Sequence, residues 1–132
     1  MQRKYRRKGF TLIELMLVVI IISVLAAMVM PRLVGRSQEA KTAAAKADIN
    51  STIGLAIDMY EMDTGKYPPD LGALMKNPNL PGWKGPYLKK EPKDPWGKAY
   101  IYKTPGTHSN DYDLYSAGPN GVENDTDDIG NW

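Results

Sequence analysis

Residues 9–30 read GFTLIELMLVVIIISVLAAMVM. From Leu15 to Met30 only Ser23 interrupts the apolar side chains, and extending the run back to Phe10 admits one charge, Glu14. That is about the 20 residues a helix needs to cross roughly 30 Å of hydrocarbon. The alternative is a helix buried on every face of a large core. The Gly- and Pro-rich remainder of a 132-residue chain is too small to surround one. The predicted element is a transmembrane helix with a carboxylate about one turn inside its head.

The chain carries 17 basic and 15 acidic side chains, a formal net charge of +2. Five of the basic residues, Arg3, Lys4, Arg6, Arg7 and Lys8, stand together before the apolar run. Setting them aside leaves 12 basic against 15 acidic, a net charge of −3. Positive charge confined to a tail beside a membrane span is a topology signal, not a basic face for nucleic acid. It predicts a cytoplasmic N-terminus and a single pass, with the chain after Pro31 outside, although Arg32 and Arg36 weaken the asymmetry. The chain has no cysteine, so disulfides and thiolate metal sites are excluded.

Beyond the span the pattern stays helical. Ile49, Ile53, Ala56, Ile57 and Tyr60 mark one apolar face, and Ala43, Ala44, Ala45 and Ala47 add helix propensity. The helix is predicted to run from near Phe10 to about Met62, roughly 80 Å, and to stop at Asp63-Thr64-Gly65 ahead of Pro68 and Pro69. Pro31 and Gly35 predict a kink or local unwinding. Leu71, Leu74 and Met75 suit one short helix, and residues 77–97, with five prolines, an irregular loop. Two strands are predicted at 98–104 and 111–116, joined by PGTHSN into an antiparallel hairpin packed on the outer half of the long helix. Residues 118–132 read as a polar loop anchored by Trp132. The fold class is α+β, divided into residues 1–9, 10–30, 31–65 and 66–132.

A carboxylate inside a membrane segment is costly unless something positive meets it. Lys8 and Arg7 stand on the far side of Gly9. A cut between Gly9 and Phe10 would create an α-amino group at the head of the span, the natural counter-ion of Glu14. A basic leader ending in Gly9, then Phe10-Thr11-Leu12-Ile13-Glu14, then an apolar run, resembles the class III signal of type IV pilins and type II secretion pseudopilins. The resemblance implies cleavage after Gly9 and N-methylation of Phe10 by a prepilin peptidase, and a role for Glu14 in assembly. An ordinary secretory signal is the weaker reading, because Glu14 lies inside the run and no clean A-x-A site ends it.

The likeness continues through DMYEMDTGKYP (58–68), DPWGKAY (94–100), DLYSAGPNG (113–121) and DDIGNW (127–132), which are similar to major pseudopilins of type II secretion. It implies a pilin-like structural subunit that polymerises into a periplasmic pseudopilus and helps export folded proteins across the outer membrane. The implied partners are copies of itself, minor pseudopilins, an inner-membrane assembly platform with its cytoplasmic ATPase, the peptidase, secreted proteins, and membrane lipid before assembly. The rivals are a type IV pilin of a surface pilus and, from another class, a signal-anchored periplasmic metal-binding module. The missing cysteines disfavour the pilin, since type IV pilins usually close their C-terminal region with a disulfide.

The stretch GPNGVENDTDDIGNW gathers oxygen donors at Asn120, Asn124, Asp125, Asp127 and Asp128, chemistry suited to calcium but without the EF-hand spacing. On composition alone it reads as a solvated acidic loop. The resemblance implies a calcium site formed by the carbonyls of Ala117 and Asp125 with the side chains of Asn120, Asp127 and Asp128. Asn120 stands where the family often has Asp, which implies weaker binding. His108, the one histidine, reads as a solvated loop residue with no nucleophile elbow near it, so no catalytic residue is expected. Trp83 and Trp96 are predicted to cap the core, and Tyr100, Tyr102, Tyr112 and Tyr115 to pack across strands.

Overall fold

The computed structural model describes residues 9–132 and, for residues 31–33, the backbone only. The basic leader expected over residues 1–9 therefore lies outside the described residues except for Gly9. The chain divides into two compact units, one ending at Ser37 and the other spanning Gln38–Trp132. Helix α1 runs from Leu12 to Ala47 and includes Pro31 and Gly35 without a break. The local unwinding predicted there does not occur. A proline removes one hydrogen bond, and the long helical runs on either side hold the backbone in register.

In the first unit, large apolar side chains from Phe10 to Met30 and at Val34 stay exposed, between 49% at Val18 and 88% at Phe10. None of the helix's most apolar stretch is buried. A helix apolar on all sides and uncovered by its own chain needs a nonaqueous surrounding.

Past Ala47 the winding changes. Asp48–Ile53 forms a π-helix, and α2 resumes over Gly54–Thr64. The cause is the apolar spacing. Ala45, Ile49, Ile53 and Ile57 recur every fourth residue, and at about 100° per residue they would drift by roughly 120° around an α-helix. One wider turn, at roughly 80° per residue, brings them back to a single face. All four are buried, with Ala56 and Tyr60 beside them. The Gly54 N–H donates to the Ile49 carbonyl. A Cβ at residue 54 would come within 2.7 Å of that oxygen, so the turn requires glycine. The four-residue spacing was the sequence signal for it.

The helix ends as its sequence predicts. Gly65 adopts φ 76° and donates from its N–H to Glu61 O at 2.7 Å. The short helix is a 3₁₀ turn over Leu71–Leu74, capped by the Asp70 carboxylate, which accepts from Ala73 N at 3.0 Å.

The sheet has three strands in the order β1-β2-β3, all antiparallel: β1 is Ile101–Lys103, β2 Asp113–Ser116 and β3 Ile129–Gly130. The predicted hairpin is present but shorter at both ends. Before β1, the Asp94 carboxylate accepts from Trp96 N and Lys98 N, which binds that backbone into the 94–97 turn. Residues 118–132 are not all loop. Ile129 and Gly130 pair with Ser116 and Tyr115, and Asn131 clamps the pairing by donating from its N–H to Leu114 O and accepting from Leu114 N. A two-residue strand beside acidic residues offers no alternation to read.

Tyr100, Leu114 and Ile129 of this layer pack on the buried helical face with Ala73 and Leu74. Trp83 and Trp96 border the core as predicted, their indole N–H groups donating to Ala73 O and Gln38 Oε1. Of the four tyrosines, Tyr102 and Tyr112 pack on each other, Tyr112 lying between Tyr67 and Tyr102 with centroids at 5.3 and 5.6 Å, whereas Tyr115 meets Trp132 and Tyr100 donates to Asp48. Tyr60 is fully buried, yet its hydroxyl has no hydrogen-bond partner among the described residues. Because an unpaired buried hydroxyl costs stability, Tyr60→Phe is expected to stabilise the Gln38–Trp132 unit by about 1 kcal/mol. Its thermal midpoint should rise by several degrees; a fall would mean that the hydroxyl is satisfied in solution.

Candidate functional site

Two regions concentrate functional chemistry. At the head of α1, Gly9 and Phe10 are exposed and precede the helix. Glu14 Oε2 accepts from Thr11 N at 2.8 Å and from Thr11 Oγ1 at 3.0 Å, while Glu14 N donates to Thr11 Oγ1 at 3.3 Å. This is a reciprocal capping box in which Thr11 is the cap and Glu14 the third helical residue. Glu14 thus has a partner inside the chain before any counter-ion meets it. The Thr-x-x-Glu spacing was legible in the sequence.

The second region is the turn-rich segment between β2 and β3. Gly118, with φ 64°, passes so close to the Asp127 carbonyl that any side chain would collide with it. This approach brings the two ends of the acidic loop together. Asn120 stands between them: its Nδ2 donates to Asp125 Oδ2 at 2.7 Å and Asp127 Oδ2 at 3.2 Å, and its Oδ1 accepts from Val122 N at 2.8 Å. Asp125 Oδ1 accepts from Asp127 N, and Asp128 Oδ2 accepts from Asn124 N. The other Asp128 oxygen, Oδ1, is buried without a partner. The Ala117 and Asp125 carbonyls accept from Gly121 N and Asp128 N in the same loop. The five predicted ligand residues are therefore brought into one loop. Among the described residues, however, no three acidic or histidine side chains converge closely enough to hold an ion by themselves. The donor types suit a hard cation: the orphaned Asp128 Oδ1, the Ala117 and Asp125 carbonyls and the Asp127 carboxylate are all oxygen ligands.

Three features beside this loop escape a linear reading of the sequence. Asp113 is fully buried at the start of β2 and accepts from Thr107 N (2.8 Å), Thr107 Oγ1 (2.7 Å), His108 N (3.0 Å) and Ser109 N (2.8 Å). Burial alone would raise its pKa, but the Thr107 hydroxyl and the N–H groups of Ser109, Thr107 and His108 outweigh it. They hold the carboxyl well below the usual aspartate range. His108 is not merely solvated. Its Nδ1 lies 3.0 Å from Asp113 Oδ2, and its ring stacks on Trp132 at 4.1 Å, so the predicted anchor has a specific seat. The acidic loop is also tied to the sheet where Tyr115 donates to Glu123 Oε2 and accepts from Lys103 Nζ.

Comparison with known proteins decides among these readings. The family model described as Type II secretion system (T2SS), protein G matches residues 32–132, and the prokaryotic N-terminal methylation motif matches residues 4–30. The chain belongs to the type II secretion system protein G family. The core protein G of Pseudomonas aeruginosa is 48% identical over 143 residues, covering 100% of this chain and 99% of that one. The Escherichia coli (strain K12) protein of the same name is 42% identical over 135 residues, covering 96% and 92%. A crystal structure of the major pseudopilin from the type 2 secretion system of enterohaemorrhagic Escherichia coli superposes with a TM-score of 0.66 at 34% identity, over 76% of this chain and 89% of that one. The chain is thus a pseudopilin of type II secretion, which favours this branch over a surface pilin or a solitary metal-binding module. Protein G is a structural subunit family, and the apolar helix fits its membrane anchor.

Proposed function

We propose that this pseudopilin is made with a basic leader, enters the inner membrane once with its N-terminus cytoplasmic, and is cut between Gly9 and Phe10 by a prepilin peptidase that methylates the new amine. The observation that carries this reading is the uncovered apolar helix beginning directly after Gly9-Phe10, with Glu14 fixed one turn inside it. The outer domain lies in the periplasm. Subunits leave the bilayer as a homopolymer in which apolar helices cover one another, and Glu14 accepts the Phe10 ammonium of its own chain or of a neighbour. An assembly platform and its ATPase add subunits, minor pseudopilins cap the fibre, and growth helps move folded proteins outward. The subunit performs no catalysis.

We also assign the 117–128 loop to calcium. The Ala117 and Asp125 carbonyls, the Asp127 and Asp128 carboxylates and the Asn120 side chain would hold it. When bound, the ion supplies the positive charge that three neighbouring carboxylates lack. The orphaned Asp128 Oδ1 supports this assignment.

The processing reading is tested by mass spectrometry of the membrane-extracted mature protein. The expected mass begins at N-methylated Phe10. An intact Met1, or a start near Met28, would overturn it.

A further inference from the structure

The contacts of Asn120 reveal more than a place on a ligand roll. Its amide nitrogen donates to the carboxylates of Asp125 and Asp127 at 2.7 and 3.2 Å, while its oxygen faces the Val122 N–H at 2.8 Å. The orientation is fixed by these partners: turned over, the amide would set its oxygen against two carboxylates and its nitrogen against an N–H donor. A cation drawing on the same carboxylate oxygens must displace this nitrogen. A positive group stands beside the turn. The Lys98 ammonium lies over the α-carbon of Gly121, where any side chain would meet it, and Lys98 forms no ion pair within 4.0 Å among the described residues.

We infer that Asn120 is the loop's internal substitute for the cation, closing the Asp125–Asp127 pair when no calcium is bound and competing with calcium for the Asp127 carboxylate. The inference rests on the calcium assignment above and changes the role of one residue within it. Calcium entry is then an exchange. The loop gives up the charge-assisted hydrogen bond from Asn120 to Asp127. Asn120 can add its oxygen to the ion only by releasing Val122 N–H or by sharing that oxygen. Lys98 acts in the same direction by placing positive charge beside the loop, which lowers its demand for an ion. The calcium-free loop is therefore a folded state and not a repelled one.

The deciding variant is Asn120→Ala, measured on the full mature chain in detergent by calorimetric calcium titration and by thermal midpoints with calcium and with EDTA. Loss of the amide should lower the chelated midpoint by a few degrees and tighten calcium binding by about threefold or more, since a competitor has been removed. Binding weakened severalfold would make Asn120 a net ligand and overturn the inference, as would an unchanged chelated midpoint. If the native chain ignores calcium while the alanine variant binds it, the assignment of calcium to the native loop fails but the competition stands. If neither chain responds, both fail. Should the alanine variant not fold, Asn120→Asp serves instead. Repulsion then replaces the bridge, so its EDTA midpoint should fall below that of the native chain, and an equal midpoint would overturn the inference.

Discussion

Replacing Asp113 by alanine is expected to destabilise the outer domain by about 3–5 kcal/mol, the range for stripping a buried hydrogen-bonded charge from its partners. The side chain organises the connection between β1 and β2 by accepting from three consecutive backbone N–H groups and from the Thr107 hydroxyl. Alanine leaves those N–H groups without their carboxylate acceptor. Since small domains hold about 5–15 kcal/mol in all, the variant should unfold at far lower denaturant than the native chain in a tryptophan-fluorescence titration. Acid should act on the same group. Its folded pKa lies below its unfolded value of about 3.8, so the unfolded chain binds the proton more readily as pH falls through that value. The stabilisation is complete above that pH and is lost progressively below it. Asp113→Asn should flatten this part of the stability profile; an unchanged acid limb would show that other carboxylates govern it.

Glu14→Gln is expected to lower fibre yield by at least about tenfold while leaving the helix start intact, because glutamine can keep a capping box but cannot offset an ammonium. The capping contacts give Glu14 a local role at the head of α1. Charge gives it a second role, toward the amine that cleavage would create. Glu14→Ala removes both roles, and Thr11→Ala removes mainly the first. Filament yield by electron microscopy, read beside processing and membrane insertion, separates them. If the glutamine variant assembles at native levels, capping is the whole contribution of Glu14 and the counter-ion role falls.

The outcome for each region follows the range over which its forces act. The apolar run, the buried helical face, the Gly65 cap and the β1-β2 pairing were legible because each is periodic or local, and periodicity records which face is hidden. The Thr11-Glu14 box and the four-residue spacing behind the π turn were also written in the sequence. The third strand was not legible: Ile129 and Gly130 are extended because Asn131 and β2 hold them, a contact made across the fold. Asp113 and Asp127 look alike in one dimension. The first is buried under four donors from Thr107, His108 and Ser109 and the second is exposed, because burial of an acid depends on how a neighbouring turn aims its donors.

The π turn at Asp48–Ile53 has a consequence for how the helix can vary in length. It holds one more residue than an α turn over nearly the same arc, stored at Asn50, Ser51 and Thr52, whose side chains face away from the core. Losing one of these would convert the stretch to ordinary α-helix while turning Ala45 and Ile49 by only about 30° relative to Ile53. Elsewhere along the buried face, removing a residue would rotate the pattern by about 100° and expose it. The turn is thus a slack link, the one described stretch of this buried face where the distance along the chain between membrane segment and outer domain can change by a single residue without repacking the core.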